Sequence, residues 1–173
     1  YGGFSFTGNT GDNTAGGVSG RTGLAWGIGG EYRIQKNFSV GIDLLNVFKG
    51  YEERSASSVT YYNVNYFTIP LLLKWWVAEN NFCLQAGPYL PSLIISAFRD
   101  NGGESTPIKD RFANDFGMTL GAWFGFKASP LLSVGIDLRY DFGMTDIQAD
   151  ALPESSVKSR ALMGFLRFGF SLK

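Results

Sequence analysis

Three features of this sequence predict an all-β fold, an eight-stranded antiparallel up-and-down transmembrane β-barrel occupying residues 1–173 as one domain. Apolar and small or polar residues alternate with a period of two through most segments. Bulky apolar side chains collect on one face of each segment, while glycines and isolated charges collect on the other. Short and long connections between the segments also alternate.

Strands are expected at residues 2–7, 22–34, 38–51, 59–77, 81–97, 114–127, 131–145 and 159–172. In the second, Leu24, Trp26, Ile28, Gly30, Tyr32 and Ile34 face one way, and Ala25, Gly27, Gly29, Glu31 and Arg33 the other. The sixth sets Phe116, Met118, Leu120, Ala122, Phe124 and Phe126 against Gly117, Thr119, Gly121, Trp123, Gly125 and Lys127. The seventh sets Leu132, Val134, Ile136, Leu138, Tyr140 and Phe142 against Ser133, Gly135, Asp137, Arg139, Asp141 and Gly143. Several segments exceed the roughly 9–11 residues that cross a bilayer as a tilted strand, so they are expected to project beyond it. Pro70, Pro88 and Pro91 remove ladder donors and predict bulges in the fourth and fifth strands.

Connections 35–37, 78–80 and 128–130 are tight, whereas 8–21, 52–58, 99–112 and 146–158 are longer and rich in Gly, Ser, Asn and Asp. That layout is the one expected of a bacterial outer-membrane barrel, with short turns and both termini periplasmic and long loops extracellular. Alternation alone does not separate this from a soluble lipocalin-like carrier, whose apolar face points inward. Residue size does. The apolar face carries more bulk than a narrow eight-stranded interior accommodates, and glycine on a solvated face would weaken the strand without gain. Glycine inside a crowded lumen instead leaves room for long side chains from neighbouring strands. The apolar face is therefore expected to meet lipid.

Aromatic content is 16% while charged residues are only 17%, thin for a soluble surface. Lys+Arg and Asp+Glu each number 15, so no net field recruits nucleic acid. Histidine is absent, which removes the commonest general base and metal ligand together. Cys83 is alone and reads as a packed strand residue. No apolar run approaches the roughly 18 residues of a membrane helix. Tyr1-Gly2-Gly3-Phe4 has no basic or apolar leader pattern, so any signal peptide is expected to have been removed or omitted.

The run Tyr66-Phe67-Thr68-Ile69-Pro70-Leu71-Leu72-Leu73-Lys74-Trp75, followed by Phe82-Cys83-Leu84-Gln85-Ala86-Gly87-Pro88-Tyr89-Leu90, resembles a paired signature of the PorT-like outer-membrane barrels common in Bacteroidetes. Asp115-Phe116-Gly117-Met118 and the stretch from Leu138 to Ile147 are similar to that family's later strands. The resemblance runs from about Gly23 onward. It implies a closed eight-stranded barrel of the small OmpA/OmpX type in the outer membrane. It implies little about activity, and secretion, for which the family is named, is not carried over. Arg167-Phe168-Gly169-Phe170-Ser171-Leu172 also resembles the final-strand pattern read by the outer-membrane assembly machinery, with Gly169, Phe170 and Leu172 as its elements. Leu172 and Lys173 replace the usual terminal aromatic residue.

The inward set predicts a luminal polar network of Glu31, Arg33, Asp43, Lys49, Lys74, Gln85, Asp115, Lys127, Asp137, Arg139, Asp141 and Arg167. In a narrow lumen these charges must pair, because an isolated buried charge is very costly. The expected result is an ion-pair plug that replaces a hydrophobic core. An aromatic girdle of Tyr32, Phe38, Trp75, Phe82, Phe126 and Phe170 is expected at the short-turn rim, with Phe48, Tyr61, Phe116 and Phe142 toward the other. No catalytic, cofactor or metal set is expected. Glu52 and Glu53 read as solvated loop carboxylates, and Asp146, Asp150 and Glu154 lack calcium-loop spacing. The leading functional expectation is a non-enzymatic membrane protein that contacts lipid and the assembly machinery and serves a larger outer-membrane complex or binds a ligand. A small-solute transport or binding barrel is the alternative, and the soluble carrier a second one.

Overall fold

The computed structural model describes residues 2–11, 17–54, 59–77, 81–101, 104–107, 114–145 and 157–171. Ten strands run through them: β1 (Gly2–Gly11), β2 (Gly17–Gly20), β3 (Thr22–Gln35), β4 (Phe38–Arg54), β5 (Val59–Val77), β6 (Phe82–Asn101), β7 (Glu104–Pro107), β8 (Asp115–Lys127), β9 (Leu132–Gly143) and β10 (Val157–Phe170). Eight of them close on themselves. β1 pairs with β3 and β10, and antiparallel ladders then join β3 to β4, β4 to β5, β5 to β6, β6 to β8, β8 to β9 and β9 to β10. Closure is what lets strands survive in lipid, where no water can satisfy an open edge.

The two additional strands correct the sequence expectation, which assigned their residues to long loops. β2 lies on β4 from Tyr51 to Arg54 and prolongs β3 past a break at Arg21. β7 folds back onto Phe98 to Asn101 of β6. Glycine and small polar residues hid both segments from a reading based on alternating bulk. Parts of the expected long connections, the turn at 78–80 and Leu172 lie outside the described residues.

β5 has 19 residues and β6 has 20, about twice what a bilayer crossing needs. Their proline content breaks the ladders locally. The β6–β8 register shifts between Tyr89 and Ser92, around Pro91, and the β5–β6 register shifts between Phe67 and Ile69, beside Pro70. Pro88 stays in register opposite Met118.

The two faces of each strand differ as sharply as the period-two pattern demands. Along β9, Ile136 and Leu138 are exposed, whereas Gly135, Asp137, Arg139 and Asp141 are buried. On β3, Leu24, Trp26 and Ile28 are each more than 60% exposed, an apolar wall that only lipid or a membrane partner can cover. The interior is the inverse of a soluble carrier's cavity.

Glycines make the charged interior fit. A methyl group built on Gly41 would meet Lys74 Cε at 2.9 Å, and one on Gly121 would meet Gln85 Nε2 at 3.0 Å and Arg139 Cγ at 3.1 Å. On Gly117 it would stand 2.6 Å from the Tyr89 hydroxyl and 2.1 Å from the Phe142 carbonyl. Gly125 and Gly135 leave the space that the Trp123 indole fills. Gly30, on the outer wall, has open space instead. Replacing Gly117 by Val is therefore expected to destabilise the barrel by about 1–3 kcal/mol through overpacking. Gly30→Val should be neutral or slightly stabilising. Urea unfolding in detergent, followed by tryptophan fluorescence, checks the contrast, and equal effects at both positions would contradict it.

Candidate functional site in the barrel lumen

β4 shows how local sequence builds the interior. Its inward positions read Ser39, Gly41, Asp43, Leu45, Val47 and Lys49, all buried. Polar layers at the two ends thus flank an apolar one.

The layer nearer the short turns is a chain of alternating charge. Lys74 Nζ lies 3.1 Å from Glu31 Oε2, and Arg167 Nη2 lies 3.4 Å from the same oxygen. Arg167 Nη1 reaches Asp137 Oδ2 at 3.4 Å, Arg139 Nη2 meets that oxygen at 2.8 Å, and Arg139 Nη1 ends the chain on Asp43 Oδ2 at 2.7 Å. Neutral donors complete the carboxylates. Gln85 donates to Asp137 Oδ1 at 2.6 Å, and Ser39 and the Trp76 indole donate to Glu31 Oε1 at 2.7 and 3.0 Å. Three cations and three anions alternate, so each charge has an opposite neighbour.

The Arg139–Asp43 contact also measures the lumen. Around the ring, β4 and β9 are separated by three strands on either side, so they stand diametrically opposed. A 2.7 Å bridge between them spans the full bore, between side chains that are 0% and 1% exposed. The Arg139 guanidinium also sits over the Phe165 ring, 5.5 Å from its centroid.

The second polar layer centres on Asp115. Lys49 Nζ lies 2.7 Å from its Oδ2, the Tyr89 hydroxyl donates to Oδ1 at 3.1 Å, and Ser159 donates to Oδ2. Lys49 lies over the rings of Tyr89 and Tyr66, at 5.0 and 5.5 Å. Asp141 accepts from Thr119 at 2.6 Å.

The expectation of a lumen filled by ion pairs alone is corrected by two apolar clusters. Ala25, Leu45, Val47, Ala161, Met163 and Phe165 form one, and Val64, Tyr66, Ile94 and Ala97 form the other. Side chains of Leu and Phe size do fit inside because neighbouring inward positions are Ala or Gly. Leu44 and Leu45 are consecutive, so one of them had to face inward. The phase shared with Asp43 and Lys49 was the signal that could have identified Leu45 and Val47.

Two expected members of the network stand apart. Arg33 remains at the short-turn rim, donating to the Lys36 carbonyl at 3.4 Å with its guanidinium 4.9 Å from the Trp76 ring. Lys127 is exposed at the end of β8. Both follow the inward phase, but their strands end there, so water reaches the charges. The remaining ten expected residues line the lumen. Tyr32, Phe38, Trp75, Phe126 and Phe170 are exposed on the outer wall, and Phe82 is half-buried against Phe124, with ring centroids 4.6 Å apart. Gly169 and Phe170 close β10, and Leu172 lies outside the described residues. Ser39, Trp76, Tyr89, Thr119 and Ser159, which sequence reading did not single out, supply the hydrogen bonds. Among the described residues no group of His, Cys, Asp and Glu could hold a metal ion.

A closed ring of eight strands with an apolar outer wall and a charged, filled lumen defines a small transmembrane β-barrel of the bacterial outer membrane. Residues 1–149 match the family model for the outer membrane protein beta-barrel domain, and the chain belongs to that family. OprG of Pseudomonas aeruginosa, also an outer membrane protein, is similar in fold, with a TM-score of 0.54 at 10% identity, covering 98% of this chain and 92% of its own. Neisserial surface protein A aligns with a TM-score of 0.48 at 14% identity over 94% of this chain and 92% of its own. Ail, the attachment invasion locus protein of Yersinia pestis, aligns at 0.47 and 13% over 98% and 94%. No curated protein matches the sequence.

Truncating Arg139 to Ala removes the cation that lies between the buried carboxylates of Asp43 and Asp137. The expected loss is about 3–5 kcal/mol of unfolding free energy. Lys127→Ala, at the solvated rim, should stay within about 0.5 kcal/mol of the parent. Equilibrium unfolding of the three proteins in the same detergent measures both values.

Proposed function

We propose that the protein is a non-enzymatic outer-membrane barrel that acts through its outer wall and long-loop rim, as an accessory or binding subunit of a larger outer-membrane assembly. The observation that carries this reading is the 2.7 Å Arg139–Asp43 bridge across the bore, with the alternating charges on either side of it. A bore bridged in this way favours action at the surfaces over passage of a solute. In this reading the short turns and both termini face the periplasm, and the long connections face outward. The exposed rings of Tyr32, Phe38, Trp75, Phe126 and Phe170 would then lie at the periplasmic headgroup level. The paired signature from Tyr66 to Trp75 and from Phe82 to Leu90 supports kinship with the PorT-like barrels within the broader family.

Mild detergent extraction of the native outer membrane followed by affinity capture is expected to return a stoichiometric companion. Planar-bilayer recordings of the purified barrel are expected to show no stepwise conductance. Discrete, reproducible channel openings that Arg139→Ala enlarges would instead support a solute path. Recovery of the barrel alone under several mild detergents would overturn the accessory role.

A further inference from the structure

The outward face of β10 changes character near its start. Leu162, Gly164, Leu166, Phe168 and Phe170 hold outward positions without a charge, and the two outward positions before them are Lys158 and Arg160, both exposed. Arg160 lies ten residues before Phe170. That is about 33 Å along the strand and, at a tilt of about 40°, about 25 Å along the barrel axis. The apolar band of an outer-membrane barrel has this height, so the two cations stand one band away from the short-turn rim. The adjacent strand agrees. Phe142 pairs with Arg160 and Tyr140 with Leu162, and the two rings stack with centroids 6.4 Å apart. Amphipathic rings favour the headgroup level.

No carboxylate accompanies these cations on the lipid side of the neighbouring strands. Asp115, Asp137 and Asp141 of β8 and β9 are all buried in the lumen, and neither β1 nor β10 contains an acidic residue. Among the described residues, the polar contact of Arg160 is a donation from Nη1 to the Tyr140 hydroxyl at 3.5 Å. A guanidinium presents five N–H donors in a planar fork that matches phosphate oxygens. Lys158, two residues away on the same face, adds a point charge. On a soluble protein such a pair would be a solvated surface. On the lipid-facing phase of a barrel it faces the headgroups, where the anionic groups of a membrane lie.

We propose that Arg160, Lys158 and Tyr140 form a binding site for the phosphate of a membrane glycolipid, whose acyl chains lie along exposed Leu162, Leu138 and Leu166. The assignment rests on the reading that the long connections face outward, since the outer leaflet of this membrane is built of phosphorylated glycolipid. Arg160 takes the phosphate oxygens through its fork, the Tyr140 hydroxyl holds the guanidinium against the wall, and Lys158 supplies the second positive charge.

The test titrates the purified full chain in detergent with diphosphorylated lipid A, with its dephosphorylated form and with phosphatidylglycerol, and reads bound lipid by native mass spectrometry. Diphosphorylated lipid A is expected to bind most tightly. The double variant Arg160→Gln/Lys158→Gln should weaken that binding by about 10- to 30-fold, as expected for two cations at a charged headgroup. Lys127→Gln, at the opposite rim, should leave it unchanged. Retained heat-modifiable migration shows that each variant is folded. Equal binding by the double variant and the parent would overturn the proposal, as would equal binding of the dephosphorylated lipid. Phosphatidylglycerol held as tightly as lipid A would overturn the choice of a glycolipid. Orientation is read separately, by labelling Thr106→Cys on exposed β7 with a membrane-impermeant maleimide in intact cells. Labelling is expected. A shielded Cys would overturn the outward reading and the glycolipid assignment together, whereas a labelled Cys with no phosphate preference would overturn the site alone.

Discussion

The fit of Arg139 between Asp137 and Asp43 is the constraint on which the rest of the lumen depends. A ring of eight strands encloses a bore so narrow that side chains from opposite walls meet. Once a guanidinium is placed there, a carboxylate must lie within reach, because a buried charge without a partner costs more than the fold can supply. Asp137 answers from the same strand at 2.8 Å and Asp43 from the opposite wall at 2.7 Å. Asp137 must then share itself with Arg167, Arg167 with Glu31, and Glu31 with Lys74. Each charge in the chain has an opposite charge beside it.

Glycine and the apolar wall are two consequences of that arrangement. Long charged side chains need volume, and the inward positions of Gly41, Gly117 and Gly121 provide it where any Cβ would collide. Because the charges are inside, the bulk of Leu, Ile, Trp and Phe is displaced outward, where lipid accepts it without a packing partner. Strand closure then satisfies the backbone, and the luminal chain ties β3, β4, β5, β9 and β10 together across the interior.

Much of this was legible in the sequence because a strand has a strict period of two. The alternation placed all eight ring strands, the glycine-rich face and the ten charged or polar residues that line the lumen. Pro70 and Pro91 marked one slip each in the β5–β6 and β6–β8 ladders, whereas Pro88 stays in register. Three things escaped for physical reasons. β2 and β7 are four-residue strands without alternating bulk, so no periodic signal exists for them. Arg33 and Lys127 share the inward phase, yet phase says nothing of height along the barrel axis, and both sit at the rim. The apolar clusters around Phe165 and Tyr66 were obscured by treating bulk as an outward mark. Whether a large side chain fits inside depends on the residues facing it from other strands, which a single strand's pattern does not contain.

The central claim is that Arg139 and Asp43 couple directly across the bore. A double-mutant cycle with Arg139→Ala, Asp43→Ala and the double variant, read by urea unfolding in one detergent, measures that coupling alone. A coupling energy of about 2 kcal/mol or more is the result expected for a bridge between buried side chains. Additivity within about 0.5 kcal/mol would mean that the two walls do not meet through this pair, and the closed lumen would lose its main support.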